Sequence, residues 1–251
     1  MPNDIRSNGT LTVAADATYA PNEFIAEDGK TVIGMSADLS KALGQVMGLK
    51  VNMTNATFDT IIPGLDSGKY DLGVSSFTDT REREKIVDFV TYFVAGTSFY
   101  VKSSGGPPVK SLGDLCGRTV AAEKGTTQQA DAQAQSAKCR TGGQEPVTVQ
   151  VYNDQNAVNL ALSSGRAQVA MADSPVAEYQ VKQSKGAFKI SGPSYGTAPY
   201  GVAIPKDSGM VQPTLAAVKH IMADGTYNKI LSKWGLQSGA ISNPAVNDAV
   251  S

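Results

Sequence analysis

Short apolar runs alternate with amphipathic stretches from the beginning of the chain. Thr10–Ala15 (TLTVAA), Leu49–Thr54 and Leu72–Ser75 predict strands. Between them, Ser36–Met47 (SADLSKALGQVM) carries apolar residues at helical spacing, with Ser36 as a candidate N-cap. Thr57–Ser67 predicts a second helix, short or kinked at Pro63. Further on, Phe99–Lys102, Val147–Val151, Val169–Ala172 and Gly201–Pro205 predict strands, and Leu112–Leu115 a helical turn. Gln128–Lys138, Asn156–Ser164, Val211–Asp224 and Thr226–Trp234 predict helices, and the last ten residues read as a loose end. Strands alternating with helices imply an α/β fold with mainly parallel strands.

A weak internal repeat organises this alternation. TVAAD at Thr12–Asp16 matches TVAAE at Thr119–Glu123, and LDSGKYDLGVSS at Leu65–Ser76 matches LSSGRAQVAMAD at Leu162–Asp173. Each pair is short, but the two fall in the same order, which suggests two lobes of similar build. Ligands of open α/β sheets bind beyond the carboxyl ends of strands. Asp16, Ser75, Ser76, Glu123 and Asp173 all fall at such ends.

Charge narrows the partners. Lys and Arg number 22 against 23 Asp and Glu, so no basic excess points to nucleic acid or an anionic membrane. Hydrophobic residues are 41% and charged residues 18%, enough apolar material for a core and too little charge for disorder. No apolar run reaches the roughly 18 residues needed to span a bilayer. The start, MPNDIRSNG, lacks a charged region followed by an apolar one. The protein is therefore either cytosolic or a form from which a signal segment has been removed.

The two cysteines bear on that choice. Cys116 and Cys139 flank a strand-then-helix pattern, and a strand–helix hairpin brings those two ends near each other. The spacing suits a disulfide, which implies an oxidising compartment; two free thiols in a cytosolic chain is the alternative. Two Cys and the single His220 make a poor zinc set, and His220 in AAVKHIMADG reads as structural.

The polar chemistry at the strand ends suits a small zwitterion. The stretch from Ser75 to Arg83 offers hydroxyls, backbone groups and arginine, and an arginine fork can hold a carboxylate by two parallel bonds. A polar loop with an ion-paired arginine is the plainer reading. Gly125-Thr126-Thr127 opens a helix whose free N–H groups can seat an anion, or is an ordinary Thr cap. Asp173 can accept from an ammonium, or cap the segment at Ser174-Pro175. Tyr19 and Phe58 wall a pocket or belong to the core. Nucleophile elbow, P-loop, dinucleotide fingerprint and HExxH are all missing, so catalysis is not indicated.

A set of motifs through most of the chain carries a resemblance. They are DATYAPNEF at Asp16–Phe24, GMSADLSKAL at Gly34–Leu43, FDTIIPGLDSGKYD at Phe58–Asp71 and TDTREREKIVDF at Thr78–Phe89. KGTTQ at Lys124–Gln128, ADSPVAEY at Ala172–Tyr179 and GTYNKILSKWG at Gly225–Gly235 complete the set. Together they resemble the polar amino-acid solute-binding proteins of ABC importers, of the lysine/arginine/ornithine- and histidine-binding type. The cysteine pair resembles Gram-positive members, which are commonly lipoproteins.

The resemblance implies a type II periplasmic-binding-protein-like α/β fold of two lobes joined by two hinge crossings, near Val94–Thr97 and Tyr195–Pro199. Lobe 1 would comprise residues 1–96 and 199–251, and lobe 2 residues 97–198. By position, Arg83 rather than Arg81 matches the arginine gripping the ligand α-carboxylate, helped by the Thr78 and Thr127 N–H groups. Asp173, the Ser76 carbonyl and the Thr78 hydroxyl match the α-ammonium cage. Tyr19 and Phe58 match an aromatic pair sandwiching the side chain, and Asp16 the acid meeting a cationic one. Glu123 departs from the usual apolar residue; inward, it adds a second negative charge, and outward it says nothing of the ligand.

The implied function is extracytoplasmic capture of a free L-amino acid by hinge closure around the inter-lobe cleft, by a monomer that serves membrane permease subunits. It needs no cofactor, metal or catalytic residue. A basic ligand (arginine, lysine or ornithine) leads, and glutamine or another polar amino acid is the alternative. A cyclohexadienyl-dehydratase-like enzyme and a sensor without a permease are the readings from other classes.

Overall fold

The structure, a computed structural model, describes residues 1–250 apart from the side chain of residue 4. The chain forms two compact units: Met1–Ala95 with the chain from Ala198 onward, and Gly96–Thr197.

The first unit begins with α1 (Asn3–Asn8) and β1 (Thr10–Ala15). A small antiparallel sheet follows, β2 (Thr18–Tyr19), β3 (Glu23–Ile25) and β4 (Val32–Ile33). Then come α2 (Met35–Met47), β5 (Lys50–Asn55), α3 (Phe58–Asp66), β6 (Leu72–Gly73), α4 (Arg81–Glu84) and β7 (Val87–Lys102). The N-cap of α2 is Gly34, not Ser36, which lies inside the helix and is buried. Gly34 has φ 120°, and a Cβ there would collide with the Asn22 carbonyl, so only glycine fits the entry. Pro63 sits within α3 without ending it.

In the second unit a 3-10 turn at Leu112–Leu115 leads to β8 (Thr119–Glu123), α5 (Thr127–Thr141) and β9 (Thr148–Tyr152). α6 (Gln155–Ser164), β10 (Val169–Asp173), α7 (Ser174–Gln183) and β11 (Phe188–Pro205) complete it. The chain re-enters the first unit through β11 and adds α8 (Val211–Ala223), α9 (Thr226–Trp234) and a 3-10 turn at Gln237–Gly239. Cys116 and Cys139 are joined by a disulfide with their Cα atoms 5.7 Å apart.

Each unit repeats one strand order. In the first, β1 lies between β5 and β6, parallel to both, with β11 antiparallel beyond β6. In the second, β8 lies between β9 and β10, parallel to both, with β7 antiparallel beyond β10. The sequence repeat therefore marks equivalent strands of the two units, β1 and β8, then β6 and β10. The cores are separate clusters. Leu11, Val13, Leu39, Leu43, Tyr92 and Val202 anchor the first, and Phe99, Val101, Leu115, Val120 and Val169 the second.

Several elements differ from the sequence expectation. The strands expected at Phe99–Lys102 and Gly201–Pro205 are the ends of the long β7 and β11, and β6 stops at Gly73, two residues early. The C-terminal stretch is not loose. Thr91 N–H donates to the Ala245 carbonyl at 2.9 Å, Asn247 N–H to that of Phe89 at 3.1 Å, and Val246 bridges Val90. This pairing satisfies β7 backbone groups that apolar patterning does not report.

Candidate functional site

In the first unit the polar groups gather beyond β1 and β6. Asp16, directly after β1, is 2% exposed. Its Oδ2 accepts from the N–H of Phe58, the first residue of α3, at 2.9 Å, and its Oδ1 from the Thr18 hydroxyl at 2.6 Å. The carboxylate thus sits at the positive end of α3, which favours its charge. Ser75 is wholly buried, and its hydroxyl accepts from Asp16 N–H at 2.8 Å. Ser76 adopts a left-handed φ of 52°, uncommon for a side-chain-bearing residue, and its hydroxyl accepts from Asn22 Nδ2 at 2.9 Å.

Phe58 and Phe77 stack with centroids 4.6 Å apart, and the Arg83 guanidinium lies over both rings, 5.2 and 5.4 Å from their centroids. Arg83 also donates from Nη1 to the Thr78 carbonyl at 2.8 Å. Thr80 caps its short helix by accepting from Arg83 N–H at 3.3 Å. Arg83 is half-buried and Arg81 exposed, so the two arginines of the motif have different environments. Tyr19 and Phe58 meet edge to face with centroids 5.7 Å apart. A stem sandwiched between rings needs two parallel faces about 7 Å apart, two contacts of about 3.5 Å. The two rings instead form a corner.

In the second unit the matching strand ends carry Glu123, Thr127 and Asp173. Glu123 closes β8 and is 1% exposed. Close to it is Tyr100, which donates to Asn159 Oδ1 and accepts from Gln155 Nε2 at 2.8 Å. Burial, with the Glu123 charge adding to it, pushes the Tyr100 phenol well above its ordinary value, so the hydroxyl stays neutral. Thr127 is the first residue of α5, half-buried, and its neighbour Thr126 caps the helix by accepting from Gln129 N–H at 3.2 Å.

Asp173 ends β10. It is the N-cap residue of α7 but makes no side-chain cap bond; instead Gln128 Nε2 donates to its Oδ1 at 2.7 Å. The same Nε2 donates to the Thr97 hydroxyl at 2.8 Å, and Thr97 pairs with Asp173 across the β7–β10 ladder. Tyr195 donates to Asp131 Oδ2 at 2.8 Å. Burial first, then Asp131, raises its phenol. Sequence reasoning missed Phe77, Asn22 and Gln128. Asn22 and Gln128 lie within DATYAPNEF and KGTTQ, and Phe77 within the Ser75–Arg83 stretch, but nothing in the pattern tells a stacked Phe from a core Phe. Among the described residues, no group of three His, Cys, Asp or Glu is placed to hold a metal ion.

The pattern of the bacterial extracellular solute-binding proteins, family 3, matches residues 11–237. The chain belongs to this family. Among its family 3 relatives is the arginine-binding protein ArgT of Corynebacterium glutamicum, 32% identical over 249 residues, covering 99% of this chain and 81% of that one. An ancestral arginine-binding protein bound to arginine is 37% identical, with a TM-score of 0.82 over 90% of this chain and 98% of that one. An ancestral arginine-binding protein bound to glutamine is 36% identical, with a TM-score of 0.83 over 91% of this chain and 98% of that one. An ancestral amino acid-binding protein, a precursor of cyclohexadienyl dehydratase, is 33% identical at a TM-score of 0.82, covering 92% and 98%. The type II fold expected for a family 3 protein is present, as is the expected disulfide. Among the described residues no helix is long and apolar enough to cross a membrane.

Proposed function

We propose that this protein captures a free basic L-amino acid, arginine first, outside the cytoplasm and delivers it to the permease of an ABC importer. The observation that carries this reading is Arg83. Its guanidinium lies over Phe58 and Phe77 and is tied to the Thr78 carbonyl, so it is pre-oriented to grip an α-carboxylate. Thr78 and Thr127 N–H groups assist it. Asp173 receives the α-ammonium together with the Ser76 carbonyl and the Thr78 hydroxyl. Tyr19 and Phe58 line the side chain, and the buried acids Asp16 and Glu123 favour a cationic end. The arginine-binding relatives support that choice.

The two units act as the lobes, and the chain crossings after Ala95 and Thr197 act as the hinge. The protein works as a monomer, without cofactor or catalytic residue. The disulfide fits an oxidising compartment. A glutamine-bound relative favours a second reading, a neutral polar amino acid.

The test is calorimetric competition among arginine, lysine, ornithine, histidine, glutamine and glutamate. Arginine is expected to be tightest. Glutamine tighter by tenfold, about 1.4 kcal/mol, overturns the basic ligand. Turnover of prephenate or arogenate by the purified protein overturns the non-catalytic reading.

A further inference from the structure

The segment from Thr78 to Glu84 carries Arg83 and is fastened on two sides. On the β11 side, Asp79 N–H donates to the Pro199 carbonyl at 2.8 Å and Thr78 bridges Tyr200. On the other side lies the C-terminal stretch. Asp248 N–H donates to Asp79 Oδ2 at 2.7 Å, and Ala249 N–H to Glu84 Oε1 at 3.2 Å. The stretch is registered on β7 by its backbone pairing and by Asn247, whose Oδ1 accepts from Phe89 N–H at 2.8 Å. Asn247 Nδ2 donates to Asp88 Oδ1 at 3.0 Å, and Lys206 Nζ pairs with that same oxygen at 2.9 Å.

Asp79 is wholly buried. The charged groups acting on it, Glu84 from α4 and Asp248 from the C-terminal stretch, are both acidic. A buried acid among acids is costly, and an apolar residue would pack there more cheaply. What the carboxyl provides is an acceptor for the incoming chain. Asp79 and Glu84 flank Arg83 on either side, so the two bonds hold both ends of its turn.

We propose that Asp79 and Glu84 are positioning residues: by gripping Asp248 and Ala249 they make the C-terminal stretch hold the Arg83 turn in its carboxylate-binding pose. This rests on Arg83 being the carboxylate anchor. A chain ending at Asn247 keeps the pairing with β7 but loses both N–H donors. Its Kd for arginine is expected to rise at least about fivefold, as for a lost hydrogen bond, with folding retained by circular dichroism. Asp79→Ala is expected to do the same. Asp79→Asn, which keeps a carbonyl acceptor for Asp248 N–H, should restore affinity to within about twofold of the full chain. Arg83→Ala is measured alongside. If it abolishes binding while the shortened chain binds as the full chain does, the positioning role is overturned and the anchor stands. If Arg83→Ala leaves Kd unchanged, the anchor fails and this inference with it. Should the shortened chain not fold, equal affinity of Asp79→Ala and Asp79→Asn overturns the inference instead.

Discussion

Gln128 donates from a single Nε2 to Asp173 Oδ1 at 2.7 Å and to the Thr97 hydroxyl at 2.8 Å. Gln128 is 4% exposed, so removing its amide takes one hydrogen bond from each of these two polar groups. Gln128→Ala is expected to cost about 1–3 kcal/mol of stability. It should also weaken arginine binding about tenfold by freeing the Asp173 rotamer. Chemical denaturation and calorimetry on one preparation check both. Lost stability with unchanged affinity would remove Asp173 from the ammonium site.

The two arginines of the TDTRER segment should separate sharply. Arg83→Ala is expected to weaken every amino-acid ligand by about 2–5 kcal/mol, the usual loss for one partner of a desolvated, hydrogen-bonded charge pair. Arg81 is exposed, and Arg81→Ala should change Kd by less than about twofold, as surface substitutions do. Calorimetry with arginine and lysine reads the ranking, and its reversal would refute the anchor.

The disulfide closes a loop with a sequence separation of 23, and Cys139 is 1% exposed. Cys116→Ala combined with Cys139→Ala should lower stability by roughly 3 kcal/mol in the chain-entropy model. Neither cysteine lies at the carboxyl end of a strand, so arginine affinity should stay within about twofold, as for sites that share no partners. Urea unfolding with and without reductant tests the first claim, and titration with arginine the second.

Stability should fall as pH rises towards neutrality. Burial, with the charges of Glu84 and Asp248 adding, pushes the Asp79 carboxyl up to about 7 against the opposing Asp248 N–H bond. The folded protein therefore keeps a proton that the unfolded chain releases near 3.8. Its stabilising contribution is full below that value and is lost as pH rises through about 7. Asp28, Asp88, Asp114 and Asp224 are lowered, so above about pH 5 they are ionised in both states and add no slope. Urea midpoints between pH 5 and 8 should decline for the parent and much less for Asp79→Asn. Parallel lines would show that Asp79 ionises normally.

Sequence alone determined the alternation of strands and helices, the equivalence of TVAAD and TVAAE, and the acids at their ends. These are local matters: periodicity of 2 or 3.6 and caps are written in neighbouring residues. It also brought Cys116 and Cys139 together, because a strand–helix hairpin closes on itself. Only the tertiary structure decided what each polar group is committed to. Asp16 turned out to receive the N-terminus of α3, and Ser75 to receive Asp16 N–H. Tyr19 and Phe58 form a corner, and the ring stacked on Phe58 is Phe77. The C-terminal stretch, which looks loose because its residues are small and polar, pairs with β7 and reaches Asp79 across 169 positions of sequence. Hydrogen bonds of that range depend on which strands are neighbours and in what register, and hydrophobic pattern records neither for polar residues.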